Sequence, residues 1–438
     1  MKLRNFLKLI AMALLVPSAF IACSDEDNYE INVDPIVGVT SVTLDKTALA
    51  VEVGESATLS ATIEPANATF TNLTWTSSDT NVATVADGKV TGVHHGHATI
   101  TASAGNASAT CNVYVEGDGV LVFNSGSMFS GIEGSLTLIR SGFDVTNKVF
   151  STVNGRSLGS IVQDGVVCGD NLYIAVDGSN TIEVVNKYTF ESVAIVMLPE
   201  DEGEPRDIIE EDGMVYISMY TGFVARLDPT TNTIDKTVKV GPNPEEMAVA
   251  GDYLYVVNSD GLNYEANYVN GKSVSKIDLR TFTEVKKIPV GLNPTKIVEA
   301  NDNLYVLCMG NYYDVPSDLY KIDASDNVTD LGIEGTFMAE DDDVLYVIYY
   351  PYYEEGTSYT SYNLSDMSVK SSAFVDTRLD APAGIAVENG RIYISSYSLV
   401  DGWASYTTDG YLNEYTTDGT FVKKYDVGVG PANIYVMD

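Results

Sequence analysis

Histidine is nearly missing from this chain. Its 438 residues contain three, His94, His95 and His97, packed into one short stretch. Everything after residue 97 therefore lacks the base that Ser-His-Asp and Cys-His machinery requires, and lacks any imidazole to hold a metal. Basic side chains are also scarce, 25 against 61 acidic ones, which leaves a formal charge of −36. A surface of that sign repels phosphate backbones and excludes a nucleic-acid partner. It suits solubility, attraction of cations, or non-adhesion to an anionic envelope. Beyond the first two dozen residues no apolar run is long enough to cross a bilayer.

Cysteine is rare too. Of the four, Cys23 stands apart, and Cys111, Cys168 and Cys308 form an odd set in apolar, strand-like contexts. Buried free thiols are expected there rather than a disulfide framework. The spaced Asp/Asn/Gly pattern of a calcium loop is missing, although acidic runs occur at 200–202, 210–212 and 340–343. Two of these fall where tight hairpin turns are expected, and solvated turns are the reading adopted. No metal site and no cofactor is assigned, and the His94–His97 cluster is read as surface decoration.

What is present begins with a secretory pattern. Lys2, Arg4 and Lys8 precede an apolar stretch from Leu9 to Val16, and the segment ends at Ala22-Cys23. Without it the remainder carries about −39 by the same count. Phe20-Ile21-Ala22-Cys23 resembles a bacterial lipobox, which implies a signal at 1–22, cleavage there, and lipidation of Cys23. Acyl chains then hold the protein at a membrane through buried methylenes. The acidic run Ser24-Asp25-Glu26-Asp27-Asn28 opens a tether over 23–37. It is similar to the export tag of surface lipoproteins in the Bacteroidota, which places the chain at the outer membrane, facing outward.

From 38 to 116 short alternating strands are broken by Gly, Asn and Pro, as in a small β-sandwich. Strands are expected at Ser41–Leu44, Ala57–Thr62, Val82–Val85 and Ala98–Ala102. Val53-Gly54-Glu55, Leu73-Thr74-Trp75-Thr76-Ser77-Ser78, Gly88-Lys89-Val90-Thr91-Gly92-Val93 and Gly96-His97-Ala98-Thr99-Ile100 resemble bacterial immunoglobulin-like domains of group 2. Such domains serve as spacers or adhesive modules.

A second pattern occupies 117–438, starting in earnest at Gly119. Six copies of an apolar strand carry a central tyrosine: Tyr173, Tyr216, Tyr255, Tyr305, Tyr346 and Tyr393, with Leu121-Val122-Phe123 as a divergent first copy. Intervals of roughly 40 to 50 residues match a four-stranded propeller blade. Tight-turn dipeptides precede most copies, and upstream strands open at Pro205, Pro244, Pro294, Pro382 and Pro431. The last of these has no blade after it, and the first aromatic strand has no inner strand before it. Pairing the two closes a ring and leaves no open edge. The fold class is therefore all-β, an immunoglobulin-like β-sandwich followed by a seven-bladed β-propeller. With Val240-Gly241-Pro242-Asn243-Pro244 and Val290-Gly291-Leu292-Asn293-Pro294, the repeat resembles the YncE-like propeller family.

The loops after the aromatic strands are rich in rings, and a propeller brings those loops to one face. Candidate ligand-binding residues are Phe129, Arg206, Tyr220, Tyr264, Tyr268, Tyr312, Tyr313, Tyr350, Tyr352, Tyr353, Tyr397 and Trp403. The residues after the inner-strand prolines, Arg206, Glu245, Thr295, Ala383 and Ala432, are expected to rim the central channel. Exposed Tyr and Trp combine apolar area with a polar handle and little entropy to lose, which suits sugars or large planar ligands.

Anchor, export tag and propeller together resemble the BtuG-type surface lipoproteins, which bind vitamin B12. That resemblance implies a corrinoid captured for a TonB-dependent transporter. Glycan binding, a purely structural or adhesive role, and a carboxylate-only lactonase or lyase remain open alternatives. Without histidine the enzyme is the weakest of them, and no catalytic residue is assigned.

Overall fold

In the computed structural model, residues 36–69, 71–117, 119–140, 145–351 and 356–437 are described. The signal segment, Cys23, most of the tether, Tyr352 and Tyr353 lie outside them. No helix among the described residues is long and apolar enough to cross a membrane.

The first sheets form the sandwich. Ala48–Glu52, Ala107–Glu116, Gly96–Ala104 and Thr74–Ser77 make one layer. Ser56–Thr58, Lys89–Gly92 and Ala83–Ala86 make another, and Ser41–Leu44 pairs with Ala61–Glu64. The expected strand Ala57–Thr62 is thus split in two. Leu59 explains the break: its side chain is buried in the core and its N–H bonds Gly88 O at 2.8 Å, which turns the chain between layers.

Among the described residues beyond Gly119 there are seven four-stranded antiparallel sheets, and in all but the first the strands run in chain order from the centre outward. The first blade takes Gly119–Asn124, Ser135–Arg140 and Val145–Thr146 from the start of the repeat and its inner strand, Pro431–Met437, from the other end of the chain. Leu121 opposes Tyr435 and Phe123 opposes Asn433. The other inner strands are Val162–Cys168, Pro205–Glu211, Pro244–Ala250, Pro294–Ala300, Phe337–Asp341 and Ala381–Glu388. Each inner strand touches the next around the ring, and the ring shuts between Ala381–Glu388 and Pro431–Met437.

The tyrosine strands are apolar on both faces because each is sandwiched between neighbouring blades. Leu172 and Ile174 pack toward the first blade with Leu121 and Phe123, while Tyr173 and Ala175 pack toward the third with Val215 and Ile217. The pattern recurs: Tyr255 meets Leu304 and Val306, and Tyr346 meets Ile392 and Ile394. This corrects the reading of the first copy by one residue. Leu121, not Val122, takes the tyrosine's place, because a one-residue shift of register moves a side chain to the opposite face.

The turns between inner and second strands require positive φ, and Asp212, Gly213, Asn301, Asp302, Asn389 and Gly390 supply it. Cys111 and Cys308 are buried free thiols as expected, whereas Cys168 is only half-buried.

His95 is not surface decoration. Its buried ring lies 5.7 Å from Tyr188 of the second blade, and its carbonyl accepts the Arg140 Nε–H at 2.8 Å. Tyr114 packs at a tilt of 44° against Tyr188 at 4.9 Å, and the Tyr188 hydroxyl donates to Glu116. The sandwich is thereby seated on the propeller through aromatic rings. Burial, with the Arg140 and Lys187 cations nearby, holds the His95 imidazole below its ordinary pKa.

Ending the chain at Gly430 removes the inner strand of the first blade and bares the edge of Gly119–Asn124. Thermal unfolding is expected to lose its single cooperative transition or to shift down by 10 °C or more, roughly the effect of losing several kcal/mol. An unchanged melt would contradict closure by the chain ends.

Candidate functional site

The inner strands carry a repeated irregularity at one end. In six of seven blades the register with the second strand slips by one residue: at 162–164, 205–207, 244–247, 294–296, 382–384 and 431–433. A bulge of this kind leaves one residue out of the ladder and re-aims its side chain. The residues so placed are Gln163, Arg206, Glu245 with Glu246, Thr295, Ala383 and Ala432, and all of them line a central depression of about 870 Å³. The five positions expected to rim the channel therefore do so.

The motif before the inner strand has its own logic. Asn243 and Asn293 adopt φ of 44° and 58°, which feeds the following proline into the strand. Asn243 is locked by its Nδ2 donation to Tyr220 O at 2.9 Å and by the Leu262 N–H on its Oδ1 at 3.1 Å. Gly241 presses against Asn258, where a Cβ would meet Cγ at 2.4 Å.

Of the twelve ligand-binding candidates, Arg206, Tyr220, Tyr268, Tyr312, Tyr350, Tyr397 and Trp403 line this depression. Phe129 and Tyr313, 97% and 94% exposed, do not, and neither does Tyr264. Local hydrogen bonds decide which ring turns inward. Asn311 Oδ1 accepts the N–H groups of Tyr313, Asp314 and Val315 at 3.1, 3.0 and 2.9 Å. That knot puts Tyr312 at φ 60°, facing Tyr268 at 5.9 Å, and leaves Tyr313 in solvent. Asp260 Oδ2 similarly accepts from Asn263 Nδ2 and Asn270 N at 2.9 Å, turning Tyr264 out and Tyr268 in.

The wall formed by the sixth and seventh blades is aromatic. Tyr397 and Tyr406 lie 5.0 Å apart, and Trp403, 68% exposed, stands on a small hairpin made by Leu399–Val400 and Trp403–Ala404. Phe337 and Tyr350 extend this wall.

The opposite wall, from the second to the fifth blade, combines Tyr220, Tyr268 and Tyr312 with side chains that pair ionically. Arg206 Nε bonds Glu245 Oε2 at 2.8 Å and its guanidinium lies 4.9 Å over the Tyr220 ring. Glu245 Oε1 also accepts the Tyr220 hydroxyl at 3.0 Å and the Ser259 hydroxyl at 3.2 Å. Burial alone would lower the Arg206 pKa, but Glu245 beside it raises it on balance. Lys296 pairs with Glu246, whose Oε2 accepts the Ile297 N–H at 3.2 Å.

Beneath these, Asp164 and Asp207 hydrogen-bond each other, and Met247 N–H donates to Asp207 Oδ2 at 2.9 Å. Burial pushes the Asp164 carboxyl up to about 6, and burial with the neighbouring Asp164 raises the Asp207 carboxyl well above its ordinary value.

Gln163, Asp164, Asp207, Glu246, Lys296, Phe337 and Arg378 escaped the sequence reading. Asp207, Glu246 and Lys296 each follow directly on a rim position, and all three line the depression. No group of three His, Cys, Asp or Glu side chains among the described residues is placed to hold a metal ion.

Comparison with known proteins fits this architecture. The family model of the bacterial Ig-like domain (group 2) matches residues 38–113, and that of a domain of unknown function, DUF5074, matches 118–292. An Ig-like virion protein of Serratia phage KSP90 is 44% identical over 84 residues, 18% of this chain. An uncharacterised protein of Clostridium acetobutylicum is 40% identical over 80 residues, 17% of this chain. The chain spans 33% and 8% of the lengths of those two proteins. Among solved structures, a quinonprotein alcohol dehydrogenase-like protein of Bacteroides thetaiotaomicron superposes with a TM-score of 0.52 at 12% identity. It covers 88% of this chain and 95% of that one. That likeness concerns the fold alone.

The Asp164–Asp207 pair makes stability depend on pH. An unfolded aspartate titrates near 3.9, so between about pH 4 and 6 the native state binds more protons than the unfolded chain. Stability therefore falls as pH rises through that window. Asp164→Asn removes the cost, and its melting temperature should exceed that of the parent at pH 8 and decline less from pH 4 to 6. Parallel melting curves for the two proteins across that range would contradict the assignment.

Proposed function

We propose that this protein is a non-catalytic surface receptor whose central depression captures a broad, flat-faced, amide-bearing ligand of the corrinoid class. The observation that carries this reading is the split character of the cavity. One wall offers Tyr350, Tyr397, Trp403 and Tyr406 for stacking, and the other offers paired side chains around Arg206 and Glu245 for hydrogen bonding. A corrin ring has flat faces and a rim of amides, so its two kinds of surface meet the two kinds of wall. Arg206 with Glu245 and Lys296 with Glu246 are already paired, so these side chains offer dipoles that suit a ligand recognised by amides.

The absence of histidine after residue 97 supports binding over catalysis. Cys23 supports a lipid anchor, and a TonB-dependent outer-membrane transporter is the recipient this reading implies. A second reading has its own observation. Trp403 is a broad exposed platform beside Tyr406, which also suits stacking on a pyranose ring.

Purified protein mixed with cyanocobalamin should turn red and co-elute with the vitamin in gel filtration. Replacing Tyr397 or Trp403 with Ala should weaken the complex by about tenfold or more each, as for a buried aromatic anchor. Colourless protein at micromolar ligand, with retention on immobilised polysaccharide that depends on Trp403, would replace the corrinoid reading with the glycan one.

A further inference from the structure

The outer strand of the second blade, Ser192–Met197, reads Ser-Val-Ala-Ile-Val-Met and pairs on one side only, with Thr181–Asn186. Val193, Ile195 and Met197 project from it and are 53%, 51% and 67% exposed. Every other outer strand of three or more residues carries charge: Asp235 and Lys236 in the third blade, Lys286 and Lys287 in the fourth, Asp330 in the fifth, Lys370 in the sixth and Lys424 in the seventh. Charged side chains on an edge prevent another strand from adding to it. Among the described blade edges of three or more residues, this one alone lacks that protection.

A second feature adjoins it. The chain leaves the strand through Leu198 and Pro199 into Glu200, Asp201, Glu202 and Glu204. None of these four carboxylates has an ion pair among the described residues. The run then enters the inner strand at Pro205, so it lies at the end of the blade that carries the cavity.

We infer that this edge is a strand-addition site for another protein. Its occupant is an extended segment, apolar at alternate residues, with Lys or Arg just past the end that lies beside 200–204. The Ser192 N–H is already held by Asn154 Oδ1 at 2.8 Å, so the backbone groups beyond it supply affinity, Val193, Ile195 and Met197 read alternate side chains, and the acidic run reads the basic end. Charge selects this occupant over the chain's own amino-terminal segment, whose Asp25, Glu26, Asp27 and Glu30 the acidic run repels. The site stands independently of what fills the cavity, though it would hold a partner next to the cavity mouth.

The test uses the whole secreted chain and a fluorescent peptide in which Val and Thr alternate and three lysines follow at one end. Anisotropy should report binding that weakens with salt. Ile195→Lys, whose exposed position leaves the fold intact by thermal melt, should lower affinity by about tenfold or more. Combining Glu200→Gln, Asp201→Asn, Glu202→Gln and Glu204→Gln should abolish the salt dependence while retaining weaker binding. No binding, or binding indifferent to Ile195→Lys, would overturn the inference. So would a concentration-dependent dimer that Ile195→Lys dissolves, because the edge would then serve a second copy.

Discussion

The cavity depends on a conflict within each inner strand. Its backbone must pair with the second strand to hold the blade together, yet its side chains near one end must aim into the central opening. The bulge resolves this by taking one residue out of the ladder. Because it recurs at the same place in six blades, six sets of side chains converge on one mouth. The sixth blade has no such slip. There Thr336 Oγ1 accepts the Tyr350 N–H at 2.9 Å, which tethers an aromatic residue to the rim instead.

A bulged strand end has weakened pairing, and the blades compensate laterally. Asp164, Asp207 and the Met247 amide link the second, third and fourth blades, and Glu246 links the fourth to Lys296 and Ile297 of the fifth. This chain of carboxyls stiffens the half of the ring that forms the ionic wall. Between the sixth and seventh blades the contacts are apolar and aromatic, Tyr346 with Phe374 at 5.2 Å among them, packed against Ile392 and Ile394.

Much of this architecture is legible in the sequence because its signals are periodic. Tyr173, Tyr216 and their equivalents mark the second strands, the prolines mark five of the inner strands, and the unpaired strand at Pro431 reveals closure. What periodicity does not encode is which of two adjacent loop residues turns inward. Tyr312 and Tyr313 look alike in sequence, and only the Asn311 knot separates them. The floor ions were equally hidden, since Glu246 and Lys296 gain their meaning from a neighbouring blade about 50 residues away. The role of His95 is hidden for the same reason, its partners Tyr188 and Arg140 being distant in the chain.

Amide hydrogen exchange of the full chain, with and without cyanocobalamin, bears most directly on whether the bulged mouth is where a ligand sits. Slowed exchange is expected over 259–272, 309–317 and 398–408, with the hairpin turns at 168–171, 211–214 and 388–391 unchanged. Protection confined to those turns, or to the sandwich at 41–116, would contradict a ligand at that mouth.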